Sequence, residues 1–176
     1  MSSDQEKERL LNRWLTEHQG IFHKIARSYT TAVTDEAELV QEMIVQLWRS
    51  LGSFREQCKP STWIYRVCLN TALTWRRGVR RRQSVTVTVA SPPLDAATDQ
   101  PRPGWTQEQA ELLAQLYQAM RALPAAERTL VILSLDGLSY REISDITGLS
   151  ENHVGVALTR TRRKLSEMLK EVRHEL

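Results

Sequence analysis

Four positive charges and no acid fall within Thr159–Lys164, TRTRRK. Guanidinium and ammonium groups at that density bind phosphate, and such contacts supply most sequence-independent affinity for nucleic acid. A second basic run, Arg76, Arg77, Arg80, Arg81 and Arg82, places five arginines in seven positions. A helix end favoured by its own dipole accounts for one or two of them, not for five. Around the first run, Asn152, His153, Val156, Thr159, Arg160 and Arg163 share the spacing of a helix face that points into solvent or onto a partner.

The elements that must position those groups lie in Gly137–Leu165, GLSYREISDITGLSENHVGVALTRTRRKL. Ser139 with Glu142 three positions on is a capping-box pattern that opens a short helix. Ile143 and Ile146 supply its buried stripe, with small Ser144 beside them where a second helix can come close. Gly148 stops that helix, being free to take positive φ. Leu149 plugs the corner, and Ser150 caps a longer helix. There Val154, Leu158, Leu165, Met168, Leu169 and Val172 keep helical spacing. A corner of this size fits the helix-turn-helix plan, whose second helix enters the major groove. An αα-hairpin inside a bundle fits the corner as well, and the unmixed charge of TRTRRK favours DNA.

At 176 residues the chain holds one medium domain or two small ones, and 41% hydrophobic residues suffice for a core. No run approaches the roughly 20 apolar residues of a membrane span. The charged start MSSDQEKERLLNRW has no secretion-signal core, so the chain is expected to stay in the cytosol. Cys58 and Cys68 complete no metal pattern and read as reduced thiols, Cys68 in the core. Net charge is +3, yet residues 1–83 carry 14 Lys/Arg against 9 Asp/Glu while residues 107–176 carry 9 against 10. The second segment is thus nearly neutral with its positive charge concentrated at 160–164, which suits a nucleic-acid face.

Leu10, Leu11, Trp14, Ile21, Phe22, Ile25 and Tyr29 mark a first helical stretch with a break expected near Gly20. Thr30–Thr34 reads as a loop, and Asp35 with Glu38 as the capping box of a second helix. That helix carries a double stripe, Leu39, Val40, Met43, Ile44, Leu47, Trp48 and Leu51, opposite Glu38, Gln41, Glu42, Gln46 and Arg49. Val45 amid these polar groups hints at a protein-binding surface. Gly52 ends the helix, and Phe54 opens a loop, as a hydrophobic anchor or as a base-stacking ring, the anchor being favoured. Ser61 is expected to cap a third helix with Trp63, Ile64, Val67, Cys68, Ala72 and Trp75 on its core side. Asn70 interrupts that helix and is unfavourable there unless it faces water or has a role. Residues 83–106 hold four of the six prolines and read as linker, VTVTV included. Stretched out, such a tether spans about 80 Å. Leu112, Leu113, Leu116, Tyr117, Met120 and Leu123 then mark a further helix, and Pro124 the start of another. The fold class expected is all-α: two small helical modules, 1–83 and 107–176, joined by a flexible linker at 84–106. No phosphate loop, paired acid and base, or nucleophile motif is present, so neither enzyme activity nor a cofactor or small-molecule substrate is expected.

With these stretches in order, the chain resembles bacterial sigma factors of the extracytoplasmic-function group. EAELVQEMIVQLWRSLGSFRE is similar to the region 2 helix that docks on the β′ clamp helices of RNA polymerase. STWIYRVCLNTALTWRRGVRRR resembles the part that reads and melts the −10 element, and LRALPAAERTLVILSLDGLSYREISDITGLSENHVGVALTRTRRKL resembles region 4, which reads the −35 element. The resemblance implies core polymerase, through its β′ clamp helices and β flap, and promoter DNA as partners, with an anti-sigma factor as a further one. It implies polymerase docking for Glu38, Gln41, Glu42, Gln46 and Arg49. The loop from Phe54 through Lys59 to Ser61 matches one that captures a flipped base. Asn70 matches a polar position of −10 recognition, and Arg76, Arg77 and Arg80 would lie near the promoter backbone. Base extrusion costs a few kcal/mol per base and needs a pocket and stacking. On the −35 side, Asn152, His153, Thr159 and Arg160 would carry base-edge hydrogen bonds, with Val156 and Arg163 on the same face. Two stretches depart from the family pattern: Lys59-Pro60-Ser61 before the TW pair, and Gly155-Val156-Ala157 on the recognition helix. Two rival readings remain, a stand-alone helix-turn-helix repressor and a sigma-like protein-binding adaptor.

Overall fold

The computed structural model describes the backbone of residues 3–85 and 106–174. The chain divides into two compact units, Met1–Leu94 and Asp95–Leu176. The described residues are helical with connecting turns: α1 (Ser3–Tyr29), α2 (Val33–Ser50), a 3₁₀ turn (Leu51–Ser53), α3 (Pro60–Val85), α4 (Gln107–Ala122), α5 (Ala125–Leu135), α6 (Tyr140–Thr147) and α7 (Glu151–His174). VTVTV beyond Val85 and the rest of the stretch to Trp105 lie outside the described residues.

In the first unit α1, α2 and α3 pack on one another around Trp14, Phe22, Ile25, Leu39, Met43, Leu47, Ile64 and Cys68, all buried. The break in α1 falls at His18 (φ −125°, ψ 19°), two residues before Gly20, between the buried Trp14 and the buried run that begins at Ile21. Asp35 does not cap α2. The helix starts two residues earlier, at Val33, and Ala32 at the cap position makes no side-chain bond. Asp35 and Glu36 fall instead in the first turn, where carboxylates meet the positive end of the dipole. Glu36 accepts from Arg27 Nε at 3.1 Å and pairs with His23 Nδ1 at 3.3 Å, so it ties α2 to α1. The double stripe of α2 resolves into a single buried one, Leu39, Met43 and Leu47, continued by Leu51. Val40 and Ile44 are half-buried, and Val45 and Trp48 are exposed.

Ser61 does not cap α3 either. Pro60 takes the first helical position, which suits a residue with fixed φ and no N–H, and Trp63 N donates to Lys59 O at 3.2 Å. The core face of α3 is Ile64, Tyr65, Cys68, Leu69 and Ala72, turned from the expected stripe so that Trp63, Val67 and Trp75 are half-buried. Burial pushes the Cys68 thiol far above the ordinary thiol range, and burial together with Cys68 raises Tyr65 to about 12. A thiol kept protonated is a poor nucleophile. In a titration with a thiol-disulfide reagent, half-buried Cys58 is therefore expected to react promptly, and Cys68 only once the protein is unfolded.

In the second unit, Thr106 and Gln109 form a reciprocal capping box at the start of α4, with Gln109 N donating to Thr106 Oγ1 at 3.2 Å and Thr106 N to Gln109 Oε1 at 3.0 Å. Tyr117, Met120 and Leu123 are buried as spaced, while Leu112 is exposed. Pro124 precedes α5, whose Leu130, Val131, Ile132 and Leu133 are buried. Arg128 is buried with them: Nε donates to Met120 O at 2.9 Å, and Nη2 to Leu123 O at 3.0 Å and to Arg121 O. A guanidinium thus closes the C-terminal end of α4, where unpaired carbonyls and the negative end of the dipole both favour a cation.

The corner between α6 and α7 forms as its residues predict. Ser139 and Glu142 cap α6 reciprocally, and Gly148 ends it at φ +76°, the left-handed region. The Ser144 hydroxyl donates to Leu149 O, so this small residue ties the corner as well as leaving room. His153 N donates to Ser150 Oγ at 3.3 Å, which caps α7. Ile143, Val154, Leu158 and Leu165 are buried.

Candidate nucleic-acid and polymerase-docking surfaces

Helix α7 presents Asn152, His153, Val156, Thr159, Arg160 and Arg163 to solvent, at the spacing of one helix face. Amide, imidazole, hydroxyl and guanidinium groups there can meet the donors and acceptors of base edges or phosphates. The four charges of TRTRRK divide by direction. Arg162 donates to Ser134 Oγ of α5, and Lys164 Nζ donates to Glu127 Oε2 of α5 at 3.2 Å. Arg160 and Arg163 line an open groove with Asn152, Val156 and Thr159. Arg163 also lies 3.8 Å from Glu167, both side chains well exposed, a pairing worth little in water. Thr161 is buried inside the run, its hydroxyl donating to Ala157 O at 2.8 Å. The basic run therefore divides, one pair of charges turned to α5 and the other pair presented to solvent.

The same groove contains Tyr140, at the start of α6, which sequence spacing did not single out. Its ring approaches Gly155, a contact between two helices that no local pattern announces.

In the first unit, α2 and α3 form the two walls of a second groove, of about 570 Å³. Glu38, Glu42 and Gln46 line one side, and Asn70, Thr71, Thr74 and Trp75 the other. Gln46 Nε2 donates to Glu42 Oε1 at 2.7 Å, fixing that carboxylate. Asn70 is exposed and so escapes the penalty of a buried amide. Residues assigned from sequence to two separate tasks thus line one groove. Gln41 and Arg49 are exposed on α2, as are Val45 and Trp48.

The loop between the 3₁₀ turn and α3 is held by its aromatic residue. Phe54 meets Trp14 edge-on at a centroid distance of 4.9 Å and Trp63 at 5.7 Å, and Trp63 Nε1 donates to Ser50 Oγ at 3.3 Å. That is the anchor arrangement, worth about 0.5–1.5 kcal/mol per aromatic pair. Lys59 is exposed at the start of α3, and Ser61 is half-buried in its first turn. Glu56, between Phe54 and Lys59, has φ +55°, the sole non-glycine residue in the left-handed region among the described residues. Arg77 folds back on its own helix, Nε donating to Leu73 O at 3.3 Å and Nη2 to Thr74 Oγ1 at 3.4 Å. Arg76 is half-buried beside it, and the side chains of Arg80, Arg81 and Arg82 lie outside the described residues. Among the described residues no group of three His, Cys, Asp or Glu side chains could hold a metal ion, and no helix is long and apolar enough to cross a membrane.

Two family models match in the same order as these surfaces: Sigma-70 region 2 over residues 14–82 and Sigma-70, region 4 over residues 113–165. The ECF RNA polymerase sigma factor SigM of Mycobacterium tuberculosis is 23% identical over 153 residues, which is 86% of this chain and 73% of that protein. RNA polymerase sigma factor SigV of Bacillus subtilis is 26% identical over 161 residues, 91% of each. The sigma factor RpoE from Bartonella quintana, solved with the anti-sigma factor NepR, has a TM-score of 0.65 at 22% identity, covering 90% of this chain and 96% of that one. The two regions and the all-helical fold define a protein of the sigma-70 family. Within it, the chain belongs to the extracytoplasmic-function group of sigma factors, and it is a transcription initiation factor.

Proposed function

We propose that this chain binds core RNA polymerase in the cytoplasm and directs it to promoters with both elements, residues 1–83 serving the −10 element and residues 107–176 the −35 element, with 84–106 as tether. The observation that carries this reading is the α2–α3 groove, which sets Asn70 against Glu38, Glu42 and Gln46. Polymerase docks on α2, through Glu38, Gln41, Glu42, Gln46 and Arg49. The −10 strand passes Asn70 at the edge of the same surface, with Arg76, Arg77 and Arg80 near the backbone. Glu42, held by Gln46, sits where both partners meet.

The loop at Phe54–Ser61 borders the melted strand, with Phe54 bracing it from within and Lys59 facing outward. Melting by this route draws on single-strand capture and polymerase contacts, with no chemical step by the chain itself. On α7, Asn152, His153, Thr159 and Arg160 read base edges, while Arg163 contacts phosphate. An anti-sigma factor is a further partner of the same surfaces, as the relative solved with NepR suggests by analogy.

The test is co-elution with core polymerase. Purified protein mixed with core enzyme is expected to leave a sizing column in the polymerase peak, and a variant with Gln41, Glu42 and Arg49 all changed to alanine is expected to elute alone. A wild-type protein that elutes alone would point to a repressor acting without polymerase.

A further inference from the structure

A Cβ built on Gly155 would stand 3.2 Å from Cε2 and 3.6 Å from Cδ2 of Tyr140. The first of these is tighter than a carbon normally sits against a ring carbon, so glycine here lets the leading residue of α6 lie against α7. The contact does not bury the ring. Tyr140 remains 40% exposed, and Val156, next to Gly155, is 64% exposed. Both line the groove that also holds Asn152, Thr159 and Arg160.

An exposed valine alone needs no explanation. Here it stands beside an aromatic ring seated in a gap left by a glycine, within a surface otherwise made of polar and charged groups, the carboxylate of Glu151 among them. The base edges of the major groove present one apolar group, the C5-methyl of thymine. We propose that Tyr140 and Val156 together receive a thymine methyl of the −35 element, with Gly155 as the positioning residue that seats the ring. This rests on the reading of α7 as the −35 recognition helix. It also gives the Gly155-Val156-Ala157 departure a physical sense. The backbone gives up a side chain at 155, and α6 supplies an aromatic ring in its place.

The experiment uses the full chain in complex with core polymerase and a duplex whose −35 element is taken from mapped transcript starts. Each thymine in that element is replaced in turn by deoxyuridine, which removes the methyl group and nothing else. The wild-type complex is expected to bind one of these duplexes about fourfold more weakly, the value of one buried methyl. Tyr140→Ala and Val156→Ser are expected to bind the thymine and uracil duplexes alike. Gly155→Ala is expected to lose the discrimination while keeping or raising its thermal midpoint, since alanine favours a helix interior by about 1 kcal/mol over glycine. That separates a displaced ring from a damaged fold. Equal wild-type binding to every uracil duplex, an element with no thymine on either strand, or discrimination that survives Tyr140→Ala would overturn the proposal. A scrambled −35 duplex bound as well as the authentic one would instead refute the −35 reading beneath it.

Discussion

Arg128→Ala is expected to destabilise the C-terminal unit by about 3 kcal/mol or more. Arg128 is only 1% exposed, and its guanidinium donates to the carbonyls of Met120, Arg121 and Leu123. Alanine would take this donor from the carbonyls of Arg121 and Leu123, leave Met120 O with only the Leu123 N–H at 3.2 Å, and open a cavity the size of a long side chain. Both effects act in one direction. Lysine is a poor substitute, because a single ammonium on a flexible stem cannot span three carbonyls as a planar fork does. Arg128→Lys should therefore recover only part of the loss. Because α5 and α4 both pack on α7, the damage would reach α7 without touching any residue on its exposed face. Urea denaturation of both variants measures this, and a loss below about 1 kcal/mol would show that the carbonyls find other donors.

Asn70→Ala is expected to reduce promoter opening about 5- to 150-fold, the range for losing one good base contact of about 1–3 kcal/mol. Fold and polymerase binding should hold, because Asn70 is exposed on a helix whose buried face is Ile64, Tyr65, Cys68, Leu69 and Ala72. Alanine is also the better helix former. The two readouts must separate: open-complex formation falls, while co-elution with core polymerase does not. Because Asn70 shares its groove with Glu38, Glu42 and Gln46, the separation is a demanding one. Loss of polymerase binding in this variant would make Asn70 part of the docking surface.

The α6–α7 corner was legible from sequence because each of its signals is local. Ser139, Glu142, Gly148 and Ser150 act on backbone within four residues, and all four do what their types predict. The same logic misplaced the starts of α2 and α3. Glu36 has a partner on another helix, which bears on where the turn sits, and Pro60 is itself suited to the first helical position, which displaces Ser61 from the cap. Arg128 escaped notice because an arginine reads as surface until its carbonyl partners are in place. Tyr140 escaped because its role depends on an approach to Gly155 from a neighbouring helix. The charge count of TRTRRK credits all four cations to a nucleic-acid surface, yet Thr161 points inward and Arg162 and Lys164 turn to α5. Charge counts carry no direction; helix packing supplies it.

Run-off transcription with purified protein, core RNA polymerase and fragmented genomic DNA of the source bacterium tests the central claim most directly. Discrete transcripts that require the protein are predicted, and their aligned start sites should share two upstream elements, one for each unit. Core polymerase that neither binds the protein nor yields any protein-dependent transcript would contradict the account.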